Sequence, residues 1–135
     1  MKDSDRKRRV LVIDKQDYWR ALSEKTLRGV GFDVESRDSY DWEPGEKFDL
    51  VILGCAEIER EEKGLIGSIL GSGEHLLVLC TSLPWMMMRS LFLAGADDVT
   101  KKPYDPERLT SIVQQVLENI NPCDSYRATK QKGIR

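Results

Sequence analysis

Residues 48–56 read FDLVILGCA. The run Leu50–Leu53 is apolar without alternation, which predicts a strand buried on both faces, and it ends on Gly54 and Cys55. In an open α/β sheet, the carboxyl end of such a strand is where ligands and chemistry sit. A glycine there brings no side chain, so the stretch raises the question of what this edge of the sheet does.

Working outward, four more strands are predicted: VLVID (10–14), FDVES (32–36), HLLVLC (75–80) and a short ADDVT (96–100). Helical patterns lie between them. From Asp17 to Val30, Tyr18, Leu22 and Leu27 mark an apolar face, and Gly31 can stop the helix. Residues 57–70 form a helix weakened by Gly64 and Gly67. Ser82 is a candidate cap for a helix from Pro84 to Ala94, with proline at the first helical position and Gly95 at the end. Asp105 caps the last helix, with Pro106 in its first turn. Leu109, Ile112, Val113, Val116 and Ile120 form its apolar stripe. RDSYDWEPGEK (37–47) contains Pro44-Gly45 and is too broken for a regular helix. Alternation of strand and helix predicts a parallel sheet with helices on both faces, joined by right-handed crossovers.

The chain has 135 residues, enough for one domain with a real core. We place that domain at 9–120, with a charged extension at 1–8 and a polar, basic tail or linker at 121–135. The basic residues Arg6–Arg9, Lys130, Lys132 and Arg135 read as solubilising ends, or as linkers to an output domain absent from this chain. There is no helix-turn-helix pattern, so contact with nucleic acid is expected only through such an output domain. A formal net charge of −2 gives no electrostatic case for nucleic acid or an anionic membrane. No apolar run approaches the roughly 18 residues of a membrane span, and no h-region follows the basic N-terminus. Three cysteines, at 55, 80 and 123, show no metal or disulfide spacing, which points to a reducing, cytoplasmic compartment. His75 has no ligand cluster around it, and no metal or cofactor is expected.

The stretches VLVIDKQD, FDLVILG, LLVLCT and AGADDVTKKPYDPERL together resemble the receiver domain of two-component response regulators. The last is the most specific. The resemblance covers about residues 9–120. It implies a flavodoxin-like three-layer sandwich with strand order 2-1-3-4-5, and phosphoryl transfer from a histidine kinase to an aspartate with Mg²⁺.

Position by position, the match is incomplete. The family's acidic pair after the first strand falls on Asp14 and Lys15. Its phosphoacceptor aspartate falls on Gly54. Its hydroxyl residue falls on Cys80, with Thr81 one place late. Its lysine is matched by Lys102, followed by Pro103, and its switch aromatic falls on Val99. Glycine supplies no nucleophile, and one carboxylate is a poor seat for an octahedral oxygen-ligated metal. The six positions Asp14, Lys15, Gly54, Cys80, Thr81 and Lys102 therefore read as a vestigial phosphorylation pocket with no catalytic residue, and the chain as a pseudo-receiver rather than an enzyme. Asp14 is expected to pair with Lys102, because a lone buried carboxylate is costly. The alternatives are an unexpected acceptor such as Asp14 or Glu57, or a module sensing a small anion through Lys15 and Lys102, or redox state through Cys55 and Cys80.

LPWMMMRSLFLAGA carries more apolar residues than one buried helical face can use. Leu91 and Ala94 are expected to face the sheet, and Met86, Arg89 and Leu93 to look outward, with Trp85 or Met87 nearby. With Val99 and Tyr104 they form an expected interaction surface for a protein partner or a homodimer, on the face that in the family runs from the fourth helix to the fifth.

Overall fold

The computed structural model describes residues 7–120. Residues 1–6, the tail 121–135 with Cys123, and the side chain of Ile120 lie outside the described residues, so the readings placed on them stay expectations. The elements in chain order are β1 (Arg9–Asp14), α1 (Asp17–Gly29), β2 (Asp33–Arg37), β3 (Leu50–Cys55), α2 (Arg60–Gly71), β4 (Leu76–Cys80), α3 (Trp85–Ala94), β5 (Asp98–Lys101) and α4 (Pro106–Ile120).

The five strands pair in parallel in the order β2-β1-β3-β4-β5. β3 and β4 are buried along their whole length, which is why they read as unbroken apolar runs. Because side chains alternate across a strand, the sheet sorts its residues into two cores. Val10, Val12, Leu50, Ile52, Leu77 and Leu79 pack under α1 and α4. Leu11, Ile13, Val51, Leu53, Val78 and Cys80 pack under α2 and α3. The fold is the flavodoxin-like sandwich, and its carboxyl edge brings Asp14, Cys55, Cys80 and Lys101 to one end.

Several local readings are corrected. Gly54 and Cys55 lie inside β3 rather than after it, because each finds a ladder partner, Asp14 and Cys80 respectively. On α1, Tyr18 is exposed, and Trp19 turns inward with Leu22 and Leu27. Pro84, not Ser82, occupies the N-cap of α3, and it makes no side-chain cap bond. The Ser82 N–H instead donates to the Ala56 carbonyl at 2.8 Å. Gly95 closes α3 with φ of 114°, a left-handed conformation that glycine adopts freely. Asp105 caps α4 as expected, accepting from the Arg108 N–H at 2.8 Å.

Strand and helix do not alternate throughout. Residues 38–49, between β2 and β3, contain no helix. The segment covers the sheet with aromatic side chains instead: Trp42 is buried, and Tyr40 and Phe48 pack on the same core. Arg37 holds it, donating to the Asp41 carbonyl at 2.6 Å and to both carboxylate oxygens of Glu46 at 2.5 and 3.0 Å. A bidentate guanidinium–carboxylate pair of this kind fixes orientation as well as distance.

Candidate functional site

The carboxyl edge carries two sites, one on each face of the sheet. On the α1 and α4 face, Asp14 ends β1 beside Gly54 of β3. Its side chain leans across the glycine. A Cβ added at Gly54 would sit 2.0 Å from Asp14 Oδ2 and 2.6 Å from its Cγ, so the carboxylate occupies the space in which any side chain at 54 would begin. Lys102 Nζ donates to Asp14 Oδ2 at 2.9 Å, and both side chains are 2% exposed. The Gln16 N–H donates to Asp14 Oδ1 at 2.9 Å, and Lys102 donates a second bond to Gln16 Oε1 at 2.7 Å. The pair is thus hydrogen-bonded on both sides, which a buried ion pair requires to offset its desolvation.

An aromatic wall backs it. The Lys102 ammonium lies 5.6 Å from the Trp19 ring centroid, within cation–π range. Trp19 packs on Tyr104 at 4.8 Å, and the Tyr104 hydroxyl is 2.6 Å from Ser23 Oγ. Burial, only partly offset by the Ser23 bond, pushes the Tyr104 hydroxyl up to about 12. The Lys102–Pro103 peptide between them is cis.

On the α2 and α3 face, a cavity of about 250 Å³ is lined by Lys15, Tyr40, Cys55, Ala56, Glu57, Glu59 and Glu62, with Asp14 and Gln16 at its side. Lys15 does not stand as a free cation. It donates to Glu61 at 2.9 Å and lies 4.1 Å from the Tyr40 ring centroid. The Tyr40 hydroxyl donates to Glu62 Oε2 at 2.7 Å, and the Glu59 N–H donates to Glu62 Oε1 at 2.9 Å. Burial works against the Glu62 carboxylate, but these bonds outweigh it and hold its pKa below the ordinary value. Lys102 does not line this cavity, so the structure does not bring Lys15 and Lys102 together as an anion site. The lining has more carboxylates than cations.

Cys55 and Cys80 are register partners and both are buried with free thiols. Thr81 is exposed, and its N–H donates to the Cys55 carbonyl at 3.2 Å. The residues at the edge do not fit the Mg²⁺ that the family implies. Asp14 is committed to Lys102, and no group of three or more His, Cys, Asp or Glu side chains among the described residues could hold a metal ion.

The third feature is the outer face of α3. Trp85, Met86, Phe92 and Leu93 are 70, 57, 44 and 72% exposed, and Arg89 is exposed among them. At 100° per residue these five positions fall on one side of the helix, opposite buried Leu91. Ala94, expected to face the sheet, is exposed instead. Val99 and Tyr104 do not belong to this surface either. Val99 points into the core under α2 and α3, and Tyr104 into the core under α1 and α4. The sequence reading missed Phe92, although the phase it gave the helix, with Leu91 inward and Arg89 outward, already puts that residue on the outer face. It missed Gln16, Trp19 and Tyr40 as well. Gln16 follows Asp14 by two residues in a strand-to-helix turn, and no periodicity marks it.

This fold is a receiver-type α/β sandwich, the fold of response-regulator receivers. No family model matches the chain. It is similar to "Probable transcriptional regulator ycf27" of Porphyridium aerugineum, at 25% identity over 95% of this chain and 55% of that protein. The chain spans about half the length of the curated relatives it matches. Among solved structures, a CheY-like response regulator receiver domain protein from Methanospirillum hungatei superimposes with a TM-score of 0.74 at 19% identity, covering 84% of this chain and 96% of that one. An orphan response regulator of H. pylori superimposes with a TM-score of 0.68 at 25% identity, covering 82% of this chain and 96% of that one. No helix among the described residues is long and apolar enough to cross a membrane.

Proposed function

We propose that this chain is a pseudo-receiver, a receiver-fold signalling module that acts through protein–protein contact and without phosphorylation of its own. The observation that carries the reading is the seat of the Asp14 carboxylate. It fills the space above Gly54 and is locked to Lys102, so the place of the acceptor and the phosphate-binding lysine are both taken. Asp14 is itself a poor substitute acceptor, because it is buried and both its oxygens accept hydrogen bonds. The exposed apolar face of α3 is the contact surface, and its occupant is a second copy of the chain or another protein. Exposed apolar patches of this kind on soluble domains mark interfaces. The protein then works in the cytoplasm, as the free cysteines suggest.

Incubation with acetyl phosphate or phosphoramidate and Mg²⁺ tests the reading. The expected result is an unchanged intact mass and no Mg²⁺-dependent shift in Tm. A gain of one phosphoryl group that disappears in Asp14→Asn or Glu57→Gln overturns it in favour of a phosphorelay receiver with a different acceptor.

A further inference from the structure

We propose that Cys55 and Cys80 form a redox pair, converted by a hydroperoxide to an intramolecular disulfide that ties the carboxyl ends of β3 and β4 and is reopened by a small dithiol. The two residues are register partners on adjacent parallel strands. Such neighbours leave the sheet on the same face, and both pack in the core under α2 and α3. Neighbouring strands stand about 4.8 Å apart, inside the Cα separation of roughly 4.4–6.8 Å that a disulfide spans. Both cysteines are the last residues of their strands, so the segments that follow can adjust to close the bond.

The cavity on this face gives access. Cys55 and Ala56 line it; Cys80 is not in the lining and lies directly behind them, its Sγ 3.4 Å from the Ala56 carbonyl oxygen and 3.1 Å from that of Ser82. Hydrogen peroxide is little larger than water and fits a space of about 250 Å³. The two thiols are not equivalent. Cys80 is favoured as thiolate by its hydrogen bond with Cys55, and Lys102 adds to this, while the same bond and burial hold Cys55 protonated.

The chemistry balances as follows. The Cys80 thiolate attacks the peroxide; an S–O bond forms, the O–O bond breaks, and the leaving hydroxide takes up the proton Cys80 released, giving water. The Cys55 sulfur then attacks the Cys80 sulfur; the S–S bond forms, the S–O bond breaks, and the departing hydroxyl leaves as water with the Cys55 proton. Two thiols are oxidised by two electrons, and one peroxide is reduced to two waters. Nothing in this step depends on how α3 is used.

The test treats the full chain with hydrogen peroxide and maps its peptides without reduction. The expected product is a Cys55–Cys80 linked peptide and an intact mass lower by two hydrogen atoms, both reversed by dithiothreitol. Cys55→Ser should stop at the sulfenic acid and carry a dimedone adduct on Cys80. The proposal is overturned if both thiols survive peroxide that fully oxidises free glutathione in the same tube. It is equally overturned if the linkage joins either cysteine to Cys123 instead.

Discussion

The Asp14 carboxylate and Gly54 exclude one another's side chains. Oδ2 of Asp14 stands 2.0 Å from the position of a Cβ at 54, and 2.9 Å from Lys102 Nζ on the other side. The glycine is therefore a requirement of the ion pair as well as the loss of an acceptor. Gly54→Ala must push Asp14 off Lys102 and leave two buried charges apart, at a cost on the order of 3–5 kcal/mol. Urea denaturation should show that cost in the wild-type background and a much smaller one in Asp14→Ala, where only the Cβ contact at 3.2 Å remains. Equal costs in both backgrounds would mean that the contact with Asp14 is not what excludes a side chain. Gly54→Asp should be destabilised for the same reason and should gain no phosphorylation.

The ion pair makes its own prediction. Lys102→Met leaves Asp14 buried with only the Gln16 N–H as donor, and the expected loss is again about 3–5 kcal/mol. Asp14→Asn in addition should recover much of it, because a neutral amide is far less costly to bury than an unpaired carboxylate. The double-mutant cycle reads this coupling directly, and strictly additive losses would show that the two residues do not interact.

The parts legible in the sequence were those written in burial. β3 and β4 lie in the centre of the sheet and need apolar residues on both faces, so VIL and LLVL could be nothing else. Asp14 and Lys102 were legible as partners because a carboxylate at the end of a buried strand has to find a cation. The connection at 38–49 was only half legible. Pro44-Gly45 argued against a helix, but nothing in the spacing showed that Trp42 would take over the helix's share of the core, or that Arg37 and Glu46 would clamp it. Val99 and Tyr104 were misplaced for a related reason. A family resemblance locates a position on a strand or loop, but which core its side chain enters depends on the residues opposite. For Tyr104 these are Trp19 and Ser23, more than 80 residues away in sequence in each case.

The clamp on that connection predicts a pH dependence. The hydrogen bond from Arg37, with the one from the Glu43 N–H, lowers Glu46 from 4.5 to about 2. A depressed carboxylate adds stability that is fully present above its unfolded pKa and is lost as pH falls through the folded one. Glu46→Gln lacks that contribution at every pH. The difference in Tm between wild type and Glu46→Gln should be constant from neutral pH down to about pH 5 and close between about pH 4.5 and 2. A gap that stays open at the acid end would assign the effect of the substitution to packing rather than charge.

The outer face of α3 carries the prediction nearest to function. Trp85, Met86, Phe92 and Leu93 together expose more apolar surface than a solvated helix face carries by accident, with Arg89 lying between them. In a phosphorylation switch such a face is gated by the acceptor and by an aromatic that moves. Here position 54 is glycine, and Val99, in the aromatic's place, is a buried core residue. The face should therefore be constitutively available, and association through it should be indifferent to phosphoryl donors. A specific homodimer would bury roughly 1,200–2,000 Å² in total, with Leu93 and Met86 near its centre. Leu93→Glu sets an unpaired charge there. Sedimentation at micromolar concentration should show the wild type as a dimer and Leu93→Glu as a monomer, with circular dichroism unchanged because Leu93 is 72% exposed and contributes little to the core. Wild-type protein that sediments as a monomer would refute the homodimer and leave a different protein as the partner. Leu93→Glu protein that unfolds would refute the surface itself.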